Sequence, residues 1–573
     1  MANIMSLKSL KNKVSRNGFD LSTKRNFTAK AGELLPIWHA PVLPGDDFVI
    51  DLKSLTRTQP LNTAAFARVR EYYDFYFVPY NLLWNKSNTV LTQMYDNLQH
   101  STSLDPTQQN VLSGTMPYST VSDISTYLNK LASDNPSLDI RVKNNYCGFN
   151  RALCSAKLLE YLGYGNFYPY ATSKDSLFDS NNTLNLQLTL YPLLAYQKIY
   201  NDYFRQSQWE KSSPSTFNVD WIAGNSSTMV SFGNDTVVRN YSMLDLRYCN
   251  WQQDLFHGVL PKAQYGDVSV VSAPVSSLTD LKGTMQVKVE NQGTSVKQNV
   301  LSGSLSSSSS SQFSILALRQ AEFLQRWKEI TQSGNKDYKE QIQKHWNVSP
   351  SEAYSEMCTY LGGVVNSLDI NEVVNNNITG DNAADIAGKG IGVGNGQIRF
   401  NSNGQYGVLM CIYHCLPLLD YTSFAVSPHV TKVNATDYAI PEFDRVGMQA
   451  VPFVWFSNLA NDSSSGAPFS NFGYAPRYIE YKTDIDQSFG AFKTSLRNWV
   501  INYNESIFLS TTVGLDSPQY DSRTYSFFKV SPHCLDSLFA VNAGDSIDTD
   551  PFLCSTFFDV KVARNLDTDG LPY

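Results

Sequence analysis

The stretch "NTAAFARVREYYDFYFVPYNLLW", residues 62–84, holds eight aromatics in 23 positions, with the charged residues Arg68, Arg70, Glu71 and Asp74 among its first 13. From Val69 to Phe77 the odd positions read Val, Glu, Tyr, Phe, Phe. The even positions from Arg68 to Tyr76 read Arg, Arg, Tyr, Asp, Tyr. A period of two marks a β-strand with one apolar face and one face of tyrosine and charge. Aromatic residues suit a pleated surface, and Pro79 ends the run. Two readings stay open for the second face. It is the wet face of an ordinary sandwich strand, or it meets another protein surface, since interfaces enrich Tyr and Arg.

Upstream, Pro36, Pro41, Pro44-Gly45 and Pro60 punctuate short apolar segments, a β-rich pattern. Composition agrees. Apolar residues make up 42% of the 573 and charged residues 17%, below the usual charged share of about 25%. This favours β structure with long ordered loops and excludes disorder. Downstream, "YPLLAYQKIYNDYFRQSQWE" (191–210) carries Leu194, Gln197, Ile199, Tyr200, Tyr203 and Phe204 at helical spacing, which predicts a helix after Pro192. A second helix is predicted over "SILALRQAEFLQRWKEI" (314–330), with Leu316, Gln320, Phe323, Leu324 and Trp327 on one face and Ser314 or Ser311 as N-cap. The Ser/Val/Thr/Gly-rich stretch 267–312 ends in "GSLSSSSSSQ" and reads as a surface excursion. "AGKGIGVGNGQ" (387–397) fits neither dinucleotide nor Walker spacing and reads as a flexible loop or hairpin.

Charge is uneven. Residues 1–30 hold seven Lys/Arg against one acid, Asp20, a charge of +6 on a chain whose total is −7. A basic arm on an acidic body suits contact with phosphate, and equally a solvated tail. The eight cysteines are scattered, and "MANIMSLKSLKNKV" has no apolar core of a secretory signal. Reduced, buried thiols are therefore expected. The apolar run "YGVLMCIYHCLPLLDY" (406–421) is broken by His414 and Pro417 and is too short to cross a membrane as a helix.

No reactive constellation stands out. The seven histidines never form H-E-x-x-H, and no G-x-S-x-G elbow occurs. Cys411, His414 and Cys415 lie close in "CIYHC", but a strand would turn His414 away from the two thiols, so no metal site is expected. The acids of "TDIDQ" (483–487) and "GDSIDTD" (544–550) lack a calcium-loop glycine. They leave room for a surface divalent cation at a subunit contact. No cofactor is expected.

Several strings in order carry a resemblance. They are "AGELLPIWHAPVLPGDDF" (31–48) with 56–84, "PLLAYQKIYNDYFR" (192–205) and "LRYCNWQQDLFHGVLPKAQYG" (246–266). The helix at 318–330, "YLGG" (360–363) and "GYAPRYIEYKTDIDQSFGAF" (473–492) complete the set. Together they resemble the major capsid proteins of the Microviridae, nearest the gokushovirus-like and gut-associated branches. The departures fall in 100–150, 212–240 and 267–312.

The resemblance implies a mainly β chain: an eight-stranded antiparallel viral jelly roll with long inserted loops and a few helices. It implies a T = 1 icosahedral shell around a circular single-stranded DNA genome, with no enzymatic activity. Residues 1–30 would be a basic N-terminal arm, residues 31–573 one capsid domain, and 267–312 the variable surface protrusion. Lys8, Lys11, Lys13, Arg16, Lys24 and Arg25 are candidate DNA contacts. Arg68, Arg70, Tyr72, Tyr76, Arg477 and Tyr478 are candidate subunit contacts. Expected partners are further copies of the chain, single-stranded DNA, a small basic packaging protein, other virion proteins and a host receptor, with no membrane. The expected location is the virion, after assembly in the bacterial cytoplasm. From composition alone, a β-rich carbohydrate-active enzyme or a surface glycan-binding protein is the rival.

Overall fold

The computed structural model describes residues 15–62, 65–92, 115–134, 151–171, 186–222, 229–232, 242–269, 315–374, 386–421, 426–456, 471–501, 528–540 and 549–568. The first five strands come early: β1 (Asn17–Asp20), β2 (Thr23–Ala29), β3 (Leu35–Val42), β4 (Asp47–Thr58) and β5 (Val69–Pro79). A short pair follows, β6 (Tyr118–Thr120) with β7 (Gln187–Thr189). Next come β8 (Thr359–Val374), β9 (Ile386–Asn401) and β10 (Gly407–Pro417). A second pair, β11 (Met448–Pro452) and β12 (Asn471–Pro476), precedes β13 (Phe552–Arg564). The chain is thus mainly antiparallel β with a few helices.

Pairing is nested. The eight long strands close as β2 on β13, β3 on β10, β4 on β9 and β5 on β8, all antiparallel. Cross-links between β13 and β4 and between β10 and β5 give two four-stranded layers, β2-β13-β4-β9 and β3-β10-β5-β8. The first part of β8, Thr359 to Leu368, pairs with β5, and the remainder, Asp369 to Val374, pairs with β9. One strand therefore belongs to both layers.

Side chains from the layers meet in a single core. Trp38 on β3 stacks on Phe558 of β13 at 5.7 Å, and Phe75 of β5 meets the same ring edge-on at 6.4 Å. Phe77 packs on Phe400 of β9 at 4.6 Å. Each fully buried ring of this kind contributes about 1.5–3 kcal/mol by leaving water. Residues 17–29, read from sequence as part of a basic arm, are strands here. Phe27 reaches into the core to meet Tyr413 at 5.0 Å, which fixes β2 on β13.

Of the two expectations for the glycine-rich stretch 387–397, flexible loop or hairpin, the second holds: it lies within strand β9, whose first residues pair antiparallel with the preceding strand β8. Its glycines alternate with Ile391, Val393 and Asn395 and face across to β8 and β5. A Cβ at Gly394 would overlap the Asn366 amide, and one at Gly396 would overlap Val364. Glycine here makes room for a neighbouring strand's side chains. Gly363 of "YLGG" does the same for the Asp74 carboxylate, and Gly362, at φ +116°, borders the bulge that shifts the β5–β8 register.

Two long excursions leave this sandwich, residues 80–358 between β5 and β8 and residues 418–551 between β10 and β13. The first carries helices Val121–Asp134, Arg151–Tyr161, Tyr191–Ile199, Ile315–Ser333 and Tyr338–Trp346. The helix at Tyr191, expected to reach residue 210, passes into a π turn and stops at Phe204. It roofs the outer side of β5 and β10, so Tyr76 packs on Tyr203 at 5.0 Å. The alternation of β5 therefore ends in burial on both faces from Tyr73 onward, and every residue of β10 is buried. The expected protrusion, 267–312, lies outside the described residues beyond position 269.

Candidate assembly and nucleic-acid surfaces

On β5 the second face divides. Arg68 and Arg70 are exposed, and Arg68 reaches Asp486 at 2.6 Å and Asp420 at 3.4 Å. Exposed pairs of this type stabilise by roughly 0–1 kcal/mol, so Arg68 remains a side chain that another surface can engage. Tyr72 is half-buried and stacks on His414 with ring centroids 4.7 Å apart. Tyr76 is only 3% exposed and is enclosed by Tyr203, Phe204 and Tyr360 of its own chain.

Beneath these residues lies a buried ionisable cluster. Asp74 accepts a hydrogen bond from the Tyr360 hydroxyl at 3.0 Å and stands 3.8 Å from the His414 Nδ1. Burial pushes the Asp74 carboxyl up to about 6, which the Tyr360 hydrogen bond only partly offsets. Burial also pulls the His414 imidazole down to about 3, so it is neutral at pH 7. As the strand alternation requires, Cys411 and Cys415 point to the other face of β10, and no group of His, Cys, Asp and Glu fit for a metal occurs among the described residues. The seven described cysteines form no disulfide with one another.

Arg477 and Tyr478 sit in the "GYAPRYIEYK" string, whose role is to fasten two segments. Buried Glu480 accepts from Lys432 at 2.6 Å and Gln449 at 2.8 Å, and Lys482 pairs with Asp444 at 2.6 Å. Burial raises the Glu480 carboxyl, but the Lys432 hydrogen bond and its companions outweigh it and hold it low. Tyr478 adopts left-handed backbone at φ +58°, held by the Gln449 side chain accepting from its N–H at 2.8 Å. Half-buried Arg477 lies over the Phe443 and Tyr478 rings, at 5.9 and 5.2 Å.

The largest unforeseen surface is on helix Ile315–Ser333. Leu316, Gln320, Phe323, Leu324 and Trp327 share a face, as the spacing predicts, yet all five are exposed; Leu316 and Phe323 are 64% exposed. The intrachain contacts come from the polar side: Gln325 bonds to Gln264, and Gln208 donates to the Gln332 carbonyl at 2.8 Å. Trp327 stacks on His345 of the next helix at 5.9 Å, where Trp346 is also exposed. That next helix is well capped, with the Asp337 carboxylate accepting from the Glu340 N–H at 2.8 Å. The stripe is thus turned outward, with Phe323 64% and Leu324 and Trp327 47% exposed.

Of the basic residues, Lys8, Lys11 and Lys13 lie outside the described residues. Arg16 is half-exposed, 3.8 Å from Asp47. Lys24 and Arg25 are exposed on β2.

Asp254, His257 and Tyr421 form a hydrogen-bonded cluster that sequence reasoning missed. The His257 Nδ1 is 3.1 Å from the Asp254 carboxylate, to which Tyr421 donates at 2.5 Å. It has no signal in the sequence because Tyr421 lies 164 positions from His257 and 167 from Asp254. The cluster lies beside the smaller core, where Tyr421 meets Phe256 at 5.4 Å and Phe456 at 6.4 Å.

No described helix is long and apolar enough to cross a membrane. The profile of a family described as "Capsid protein (F protein)" matches residues 8–145 and 168–572. The chain is also 21% identical over 644 aligned positions to "Capsid protein VP1" of Chlamydia phage 1, covering 98% of this chain and 96% of the relative. The Microviridae resemblance of the sequence strings holds over nearly the full length. This chain belongs to the F-protein family of phage capsid proteins, and its role is structural, not enzymatic.

Proposed function

We propose that the chain is the repeating subunit of a T = 1 icosahedral shell that encloses a circular single-stranded DNA genome. The nested pairing of eight strands into two layers supports reading the sandwich as a viral jelly roll. The observation that carries self-assembly is the exposed apolar stripe of helix Ile315–Ser333. A subunit that presents Phe323, Leu324 and Trp327 to solvent gains by covering them with a partner surface, and closed shells supply one from a second copy. Arg68, Arg70, Tyr72 and Arg477 join these contacts, with buried Tyr76 and Tyr478 holding them in position. The basic residues from Lys8 to Arg25 contact the genome. A small basic packaging protein, other virion proteins and a host receptor complete the partner set, and assembly takes place in the bacterial cytoplasm.

Negative-stain microscopy of the purified, expressed chain tests this reading. Round particles of uniform small diameter are the expected result. A monodisperse monomer at every concentration would overturn it.

A further inference from the structure

A buried group of ionisable side chains lies where the first excursion packs against the roots of β3 and β13, and the shell reading does not use it. Lys157, on helix Arg151–Tyr161, places its Nζ 2.7 Å from the Glu33 Oε2 and 2.8 Å from the Asp550 Oδ2. The three side chains are 4%, 3% and 1% exposed. Glu33 stands just before β3 and Asp550 just before β13, 393 positions from Lys157 along the chain. Aromatic rings wall the group: Tyr161 lies 5.9 Å from the Lys157 Nζ, and Phe27 meets Tyr161 edge-on at 6.3 Å.

Two further contacts polarise the Asp550 carboxyl. The Thr28 hydroxyl donates to its Oδ2 at 2.6 Å. Its Oδ1 is buried and accepts no hydrogen bond among the described residues, and the Lys30 ammonium stands 3.9 Å from it. An amine, a carboxyl carbon and a proton carrier are thus held in contact in a dry site. Fixed geometry of this kind raises the effective concentration of the reacting groups by orders of magnitude. Burial also makes charges costly to keep, and condensation turns the two cations and two anions of Lys30, Lys157, Glu33 and Asp550 into one of each. The ion pair is the reactant state. Burial disfavours the Lys157 charge, but Glu33 and Asp550 outweigh it, so reaction begins with a proton moving along the 2.7 Å hydrogen bond to Glu33.

We propose that Lys157 and Asp550 form an intramolecular isopeptide bond, with Glu33 as the proton carrier. Glu33 takes one proton from the ammonium, and the nitrogen lone pair so freed forms the bond to the Asp550 carboxyl carbon. The carbonyl electron pair moves onto Oδ1, opposite Lys30, and returns as Oδ2 departs. Two of the three Nζ protons end on Oδ2, one of them through Glu33. Oδ2 leaves as water with the electron pair of its bond to carbon. The third proton stays as the amide N–H. Glu33 is regenerated, and no other reactant is consumed. The bond staples the first excursion to the root of β13 and stands independently of the shell reading.

The test is intact-mass spectrometry of the full-length chain, purified folded and then denatured, followed by tryptic mapping. The wild-type chain is expected to be lighter than its sequence by one water and to yield peptide 152–174 joined to peptide 530–561. Glu33→Gln keeps both reacting groups and is expected to join about a hundredfold more slowly. Asp550→Asn is expected to give the same joined peptides with loss of ammonia in place of water, and Lys157→Arg to keep its full mass. If the variants fail to fold, the wild-type peptides decide. A wild-type chain at full sequence mass, with no joined peptides, overturns the proposal and leaves the group an ion pair. Loss of water without joined peptides marks an aspartyl succinimide and overturns it as well. Joining at the wild-type rate in Glu33→Gln overturns the role given to Glu33.

Discussion

Strand β10 and helix Ile315–Ser333 are both rich in large apolar side chains, and they meet opposite fates. All eleven residues of β10 are buried, enclosed by β3 and β5 in its own layer, by β13 and β2 across the core and by the Tyr191–Ile199 helix above. The Ile315 helix leaves its stripe bare and is held by glutamines on its other side. Periodicity alone cannot separate the two cases. An apolar face identifies a surface that will be covered, and only the rest of the chain says whether the cover is internal.

The comparison can be broken most forcefully from inside. The Lys157 ammonium lies 2.7 Å from the Glu33 carboxylate and 2.8 Å from that of Asp550, and all three are buried. Those carboxylates hold Lys157 charged, well above its ordinary pKa, against the opposing effect of burial. Lys157→Ala leaves buried Glu33 without its cation and Asp550 with only Lys30, 3.9 Å away, and is expected to cost about 3–5 kcal/mol. The urea midpoint of the unassembled subunit measures this. Next, Gly394→Ala forces a methyl group onto Asn366 and is expected to cost about 1–3 kcal/mol in the same measurement.

A pH series sharpens the picture at the roofed strands. The folded state refuses the His414 proton down to about pH 3, whereas the unfolded chain accepts it near 6.5. Stability is therefore lost as pH falls through that window. Asp74 acts in the opposite sense: the folded state keeps its proton up to about pH 6, the unfolded chain only to 3.8, so acid favours folding between those values. His414→Gln removes the first effect and leaves the second. The stability of this variant relative to wild type is expected to improve on acidification from pH 7 to pH 5, by at most about 1.4 kcal/mol per unit. Urea unfolding at each pH reads it, and parallel curves would remove His414 from the account.

The smallest stability effect is expected on the bare helix. Phe323→Ser with Trp327→Ser changes subunit stability by no more than about 0.5 kcal/mol per site, yet is expected to lower particle yield at least tenfold. A large loss of subunit stability with normal particles would assign the stripe to the core.

Much of this was legible in the sequence where local pattern and final environment agree. The alternation at Val69–Phe77 and the helical spacings after Pro192 and Ser314 survive in the fold. The full extent of strand β9 was not legible, because glycine signals a loop unless the neighbouring strand is known to need the space. The roof over β5 was hidden for a similar reason: Tyr72, Asp74 and Tyr76 look like a wet face, and the helix that covers them lies more than a hundred residues away. Arg70, Arg477 and Lys24 were singled out by residue type alone, and the structure places Arg70 and Lys24 on the surface and Arg477 half-buried.

The crossing of β8 from one layer to the other has a mechanical consequence. Two sheets joined only by side-chain contact can slide or peel apart along their common plane. Here a continuous backbone is bonded into both, so a shear between them must rupture ladder hydrogen bonds along Thr359–Val374. A capsid subunit laced in this way resists splitting down the middle when its rim is loaded.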